Sequence, residues 1–166
     1  MLSFLPTYWF PRLTDLQPEF LRERGITLLL MDFDNTMLPY TTDEPTPTLL
    51  AWMRGMQAAG IRLCVVSNSR RQRVPSFCER YGLPYVLRAA KPRTRGIRTA
   101  MQRFSAARAD TALVGDQTYT DVLGANLAGI TSLQVRSIHN HTIWLKLRHV
   151  LELPCLLMAG KRRVKV

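Results

Sequence analysis

Acidic side chains are scarce: 12 Asp and Glu residues stand against 23 Lys and Arg, a formal charge of +11 on 166 residues. Between Glu44 and Asp110 the only acid is Glu79, while Arg54, Arg62, Arg70, Arg71, Arg73, Arg80, Arg88, Lys91, Arg93, Arg95, Arg98, Arg103 and Arg108 fill that interval. A chain so basic either presents a solvated basic face or draws an anion to it: nucleic acid, an anionic lipid surface or a phosphorylated substrate. Cysteine is also sparse. Cys64, Cys78 and Cys155 are odd in number and lack CxxC spacing, and no secretory signal with a cleavage site precedes them. A disulfide framework is thereby disfavoured, and a reduced, cytosolic setting is expected. No run reaches the roughly 18 to 20 uninterrupted apolar residues of a membrane span. Internal repeats and low-complexity tracts are absent.

With 46% hydrophobic and 21% charged residues, the composition is that of a globular protein, and the length suits one domain with a real core. Residues 1–24 carry Phe4, Leu5, Tyr8, Trp9 and Phe10, with Pro6 and Pro11 as breakers, and read as an irregular arm packed on that core in preference to one dipping into a membrane interface. From Gly25 the pattern becomes regular. Ile26 to Met31 is an apolar run suited to a strand covered on both faces. Thr46-Pro47 reads as a helix cap followed by proline at the first helical position, with Leu49, Leu50, Met53 and Met56 at helical spacing and Gly60 as the stop. Strands are expected at 61–66, 85–87, 111–114 and 131–135, and helices at 70–81, 94–104 and 121–128. Cys64, inside an apolar strand, reads as a small core residue. This alternation predicts an α/β fold, a doubly wound, Rossmann-like parallel sheet covered on both sides, over residues 1–136. The segment 137–166 predicts a separate amphipathic helix, with Ile143, Leu147, Val150 and Leu151 on one face, and a basic tail ending in KRRVK. Such an end suits an anionic membrane surface, and equally a helix packed on the sheet with a frayed tail.

The stretch MDFDNTMLPY (31–40) sets Asp32 and Asp34 directly after the first apolar run, where two like charges repel and need a chemical reason. Ser67 and Asn68 follow the second predicted strand, Lys91 the third, and Asp116 the fourth, with Asp121 close behind. In an open α/β sheet, ligands bind beyond the carboxyl ends of the strands. Taken singly, each group has an ordinary structural reading: a turn residue for Ser67 or Asp116, a helix cap for Asp121, a solvated cation for Lys91. Their convergence on one rim suits a hard divalent cation held by carboxylates and a phosphoryl group held by lysine and hydroxyl. A carboxylate there can serve as nucleophile, and a second can serve as acid and then base.

DFDNT, VVSNS, Lys91 and GDQTYTD resemble, in order, the four motifs of the haloacid-dehalogenase-like (HAD) phosphatases. DFDNTMLPY, TPTLLAWM, GIRLCVVSNSR, YGLPYVLRAAKP and VGDQTYTDVLGAN further resemble the YqeG group of small bacterial members, which is similar to the mitochondrial phosphatidylglycerophosphate phosphatases. The resemblance implies a HAD-type fold and an aspartyl-phosphate mechanism. It implies Asp32 as nucleophile and Mg²⁺ ligand, and Asp34 as acid and base with its main-chain carbonyl on the metal. Thr36 would support the loop, Ser67 and Asn68 would hold phosphoryl oxygens, and Lys91 would offset charge. Asp116 would be a metal ligand, and Asp121 would orient the metal directly or through water. Little chain separates Thr36 from the helix at Thr46, or Ser69 from Lys91, so no cap domain is expected and the site should be open. The expected partners are a phosphorylated substrate, by resemblance phosphatidylglycerophosphate, and an anionic membrane surface met peripherally from the cytoplasm. Another phosphorylated substrate, or an RNA- or ribosome-binding role using the +11 charge, is the alternative. The oligomeric state is not written in the sequence.

Overall fold

The structure is a computed structural model, and it describes residues 3–138. The predicted tail helix and Cys155 lie outside the described residues. The strands are β1 (Tyr8–Phe10), β2 (Leu28–Met31), β3 (Arg62–Val66), β4 (Tyr85–Val86), β5 (Thr111–Gly115) and β6 (Thr131–Val135). The helices are α1 (Pro18–Arg22), α2 (Pro47–Ala58), α3 (Arg73–Arg80), α4 (Arg95–Arg103) and α5 (Leu123–Ala128). All strands join one sheet in the order β1-β6-β5-β2-β3-β4, and every pairing is parallel.

A parallel sheet must be covered on both faces, and alternation along β2 meets that need. Leu29 and Met31 pack with Trp52, Met53 and Met56 of α2 and Phe77 of α3. Leu28 and Leu30 face the opposite layer, with Ile97, Ala100 and Met101 of α4 and Ala125 and Ala128 of α5. A fully buried Leu, Ile or Met among them contributes about 1.5–3 kcal/mol of transfer free energy. The ends of α2 form as their sequence predicts. The Thr46 hydroxyl accepts from the Leu49 N–H at 3.2 Å, and Pro47 occupies the first turn, where no N–H is missed. Gly129, in the left-handed region at φ +73°, closes α5. Cys64 and Cys78 are free and buried, and burial pushes both thiols up to about 12, so neither is a reactive thiolate.

The arm is not irregular. Tyr8–Phe10 forms an edge strand, with Tyr8 opposite Leu133 and Phe10 opposite Val135. Pro6 and Pro11 bound it rather than interrupt it, which an edge strand tolerates, and its aromatics suit a pleated surface. The indole of Trp52 donates to the Leu16 carbonyl at 2.7 Å and ties the arm to α2. The helix predicted over 70–81 is also shorter. The Ser67 hydroxyl accepts from the Ser69 N–H at 3.0 Å and the Ser69 hydroxyl from the Arg71 N–H at 3.2 Å. These serine turns compete with helical bonding and leave the chain before α3 as a loop. Asp121 lies in a π-helical turn, Thr118–Val122, ahead of α5 rather than at the start of a regular helix.

The order of strands reverses at β2: the chain proceeds from β2 to β3 and β4, then returns to the other side of β2 as β5. A crevice forms at such a switch point, outside the carboxyl ends of the strands. Only a loop joins Thr36 to α2, and only α3 and β4 lie between Ser69 and Lys91. No cap is interposed, and the crevice is open.

Candidate active site

Asp32 continues β2, its N–H donating to the Val114 carbonyl of β5 at 2.9 Å. The β2–β5 pairing therefore sets Asp32 beside the chain that leaves β5 through Asp116. Carboxylate oxygens of Asp32, Asp116 and Asp121 all lie within 4.8 Å of one another, and all three residues are buried. Lys91, 4% exposed, reaches between them: its Nζ lies 2.7 Å from Asp32 Oδ1 and 2.7 Å from Asp121 Oδ1. The contact with Asp32 is an aligned hydrogen bond. That with Asp121 is an ion pair of the same length. Asp121 Oδ2 accepts from the Gln117 N–H at 3.1 Å. A Cβ at position 115 would overlap the Asp121 carboxylate, so Gly115 is the residue that lets the π turn close against the strand end.

Three carboxylates and one ammonium in a buried space leave negative charge uncompensated. Burial, reinforced by Asp121 and resisted by Lys91, pushes Asp32 up to about 6. Burial and repulsion from Asp32 and Asp121 push Asp116 well above the usual carboxylate range. Burial alone would lower the Lys91 ammonium, but Asp121 and Asp32 outweigh it and raise it, so Lys91 remains charged. The surplus of hard oxygen ligands, three buried carboxylates within 4.8 Å of one another against one ammonium, fits a divalent cation such as Mg²⁺.

The remaining predicted residues stand around this cluster. Thr36 donates from its hydroxyl to Asp116 Oδ1 at 3.2 Å, linking the loop after β2 to that after β5. The Asn68 amide clasps the backbone of Lys91: Oδ1 accepts from the Lys91 N–H at 2.7 Å, and Nδ2 donates to the Lys91 carbonyl at 2.9 Å. What Asn68 still offers an anion is its own N–H, which has no acceptor among the described residues, and the second hydrogen of Nδ2. Ser67 lines the cavity with a hydroxyl whose hydrogen is free to donate. Asp34 lies outside the carboxylate cluster and faces the same cavity, of about 450 Å³.

Arg73 carries a role that the sequence did not disclose. Its Nη1 lies 3.0 Å from Asp34 Oδ1 and its Nε 2.7 Å from Asp43 Oδ1, and Nη2 donates to the carbonyls of Pro39 and Thr42 at 2.9 and 2.6 Å. The guanidinium also lies over the Phe33 ring, 5.3 Å from its centre. One planar fork thus holds Asp34 and the loop 39–43 together, and the second Asp34 oxygen has no hydrogen-bond partner among the described residues. Burial raises the Asp34 carboxyl, while Arg73 and then Arg71 pull against that rise. Gln134 was missed as well. It is buried in β6 and donates to the Thr118 hydroxyl at 2.9 Å, bracing the π turn. A glutamine between Leu133 and Val135 was its only signal; Arg73 had none that set it apart from the arginines around it.

The chain is similar to known proteins in sequence and in fold. The HAD-hydrolase-like family profile matches residues 88–145. A protein of Bacillus subtilis (strain 168) named "Probable phosphatase YqeG" is 33% identical over 132 residues, covering 80% of this chain and 77% of that protein. Among solved structures, the cobalt-bound form of deoxy-D-mannose-octulosonate 8-phosphate phosphatase from Haemophilus influenzae superposes with a TM-score of 0.56 at 16% identity, over 84% of this chain and 92% of that one. An uncharacterized protein from Listeria monocytogenes serotype 4b superposes with a TM-score of 0.54 at 13% identity, over 82% and 99%. At these identities the two superpositions speak for the fold.

Proposed function

The chain belongs to the YqeG family of HAD-like phosphatases, and from that membership we propose a capless, Mg²⁺-dependent phosphomonoesterase that works through an aspartyl phosphate on Asp32. We infer that its substrate is phosphatidylglycerophosphate, converted to phosphatidylglycerol and inorganic phosphate at a membrane surface reached from the cytoplasm. The carrying observation is the buried group Asp32, Asp116, Asp121 and Lys91, of which Asp32 and Lys91 line an open cavity together with Asp34.

In this reading an Asp32 carboxylate oxygen attacks phosphorus as the ester P–O bond breaks, and Asp34 gives its proton to the departing alkoxide. Asp34, now a carboxylate, takes a proton from water as that water attacks the aspartyl phosphate, releasing phosphate and restoring Asp32. Lys91, held against Asp32, offsets negative charge on nucleophile and phosphoryl oxygens throughout. The Ser67 hydroxyl and Asn68 N–H donate to those oxygens. Asp32, Asp116 and the Asp34 carbonyl, with Asp121 directly or through water, would hold Mg²⁺, which would supply further charge neutralisation.

An open site suits a phosphate that protrudes from something large, and the arginine-rich flank suits an anionic surface. A second cavity of about 490 Å³, lined by Leu13, Met37, Leu38, Leu49 and Ile138, borders the same loop after Asp34 and offers apolar surface to a lipid. No helix among the described residues is long and apolar enough to cross a membrane, and the contact proposed is peripheral. Phosphate release from phosphatidylglycerophosphate in mixed micelles, present with Mg²⁺ and abolished by chelation, is the test. Release from other phosphomonoesters but not from this lipid would remove the lipid and keep the phosphatase.

A further inference from the structure

The run Ser69–Arg73 contains three arginines that end in different surroundings. Arg73 turns inward and is engaged by Asp34, Asp43 and two carbonyls. Arg70 and Arg71 are exposed, both line the active-site cavity, and neither forms an ion pair among the described residues. The acids of that cavity are already claimed, Asp32 by Lys91 and Asp34 by Arg73. The two guanidiniums therefore present permanent positive charge to the cavity; Arg71 acts on the Asp34 carboxyl at longer range without pairing with it.

Size and lining carry the argument further. A phosphoryl group over Asp32 would occupy only the floor of a cavity of about 450 Å³. The wall around Arg70 and Arg71 is completed by Tyr40, Gln117 and Thr120, which are polar. The Tyr40 ring centre lies 5.7 Å from the Arg71 guanidinium. Tyr40 sits on the loop whose Pro39 and Thr42 carbonyls Arg73 holds, so this wall is fixed to the same frame as Asp34. A purely apolar leaving group would leave these cations facing nothing. A phosphate or carboxylate matches their fork.

We propose that Arg70 and Arg71 form a second anion subsite at the mouth of the cavity, selecting phosphomonoesters whose leaving group carries another anionic group a few bonds from the ester oxygen. The inference rests on the phosphatase reading but not on a lipid, since it applies to soluble esters. Three probes isolate it: propyl phosphate, 3-phosphonooxypropanoate and propane-1,3-diol bisphosphate, which differ in the far group alone. The expected result is a kcat/KM higher for the two second-anion probes by about tenfold or more, in keeping with a charge-assisted hydrogen bond or two. The larger of the two gains identifies phosphate or carboxylate as the group read. Arg70→Ala and Arg71→Ala should each reduce the ratio towards one, with Arg70→Lys retaining part of it, and added salt should weaken the preference. Calorimetry on the full-length Asp32→Asn protein should show the same ranking in affinity without turnover. Equal kcat/KM for all three probes in the wild type, or a ratio untouched by both alanine variants, overturns the subsite and leaves the phosphatase standing. Absence of phosphate release from every probe and from p-nitrophenyl phosphate overturns the phosphatase reading itself, while calorimetry still decides the subsite.

Discussion

Within a few residues the chain passes between two environments that obey opposite rules. Leu28 to Met31 are fully buried in β2, each facing apolar side chains of one helical layer or the other. Asp32, next in line, is just as enclosed by the fold but faces Asp116, Asp121 and Lys91. Burial stabilises the first group and raises the free energy of the second, because a charge removed from water must find compensation. The core of β2 thus supports a cluster that is costly in itself, and in the proposed mechanism stability and function fall to adjacent, separable residues.

The sharpest test of that separation is Asp32→Asn. Its kcat should fall by about a thousandfold or more, while its melting temperature stays level or rises, since one of three facing carboxylates has been neutralised. An active variant would remove Asp32 as nucleophile; an unfolded one would erase the boundary drawn here. Arg73→Ala should cost about 10- to 100-fold in kcat by loosening Asp34 and loop 39–43. The loss should be greater for alkyl phosphates, whose leaving oxygen needs a proton, than for p-nitrophenyl phosphate, with Arg73→Lys intermediate. Equal losses on both substrates would assign Arg73 to general stability.

On the core side, Leu29→Ala should lower unfolding free energy by about 2–5 kcal/mol, read by urea denaturation, with kcat per folded molecule unchanged. A changed kcat would show that the two environments are coupled. The smallest effect is expected from pH. Folding raises Asp32 from 3.8 to about 6, so the native protein binds more protons than the unfolded chain between those values. That contribution is full below pH 3.8, fades as pH rises through about 6 and is absent above. The melting temperature of cation-free protein should therefore fall by a few degrees from about pH 5 to about pH 7, and Mg²⁺ should recover more at the higher pH. A cation-free melting temperature that rises over this range would contradict the carboxylate cluster.

Much of the fold was legible because the signals were local. The apolar runs, the Thr46-Pro47 cap and the stop at Gly129 act through near neighbours. The strand at Tyr8–Phe10 was not legible, since three residues between prolines become a strand only when β6 offers its edge. The loop before α3 was likewise hidden, because two serine hydroxyls outcompeted a helix that the composition allowed.

The sequence by itself determined the alternation of strands and helices and which side chains stand at strand ends, because periodicity and turn chemistry are properties of short segments. Only the tertiary structure decided that Lys91 would lie between Asp32 and Asp121, that Asn68 would clasp the Lys91 backbone, and that of three neighbouring arginines Arg73 would turn inward. Those outcomes depend on which strands are neighbours, and strand order follows from burying both faces of the whole sheet at once.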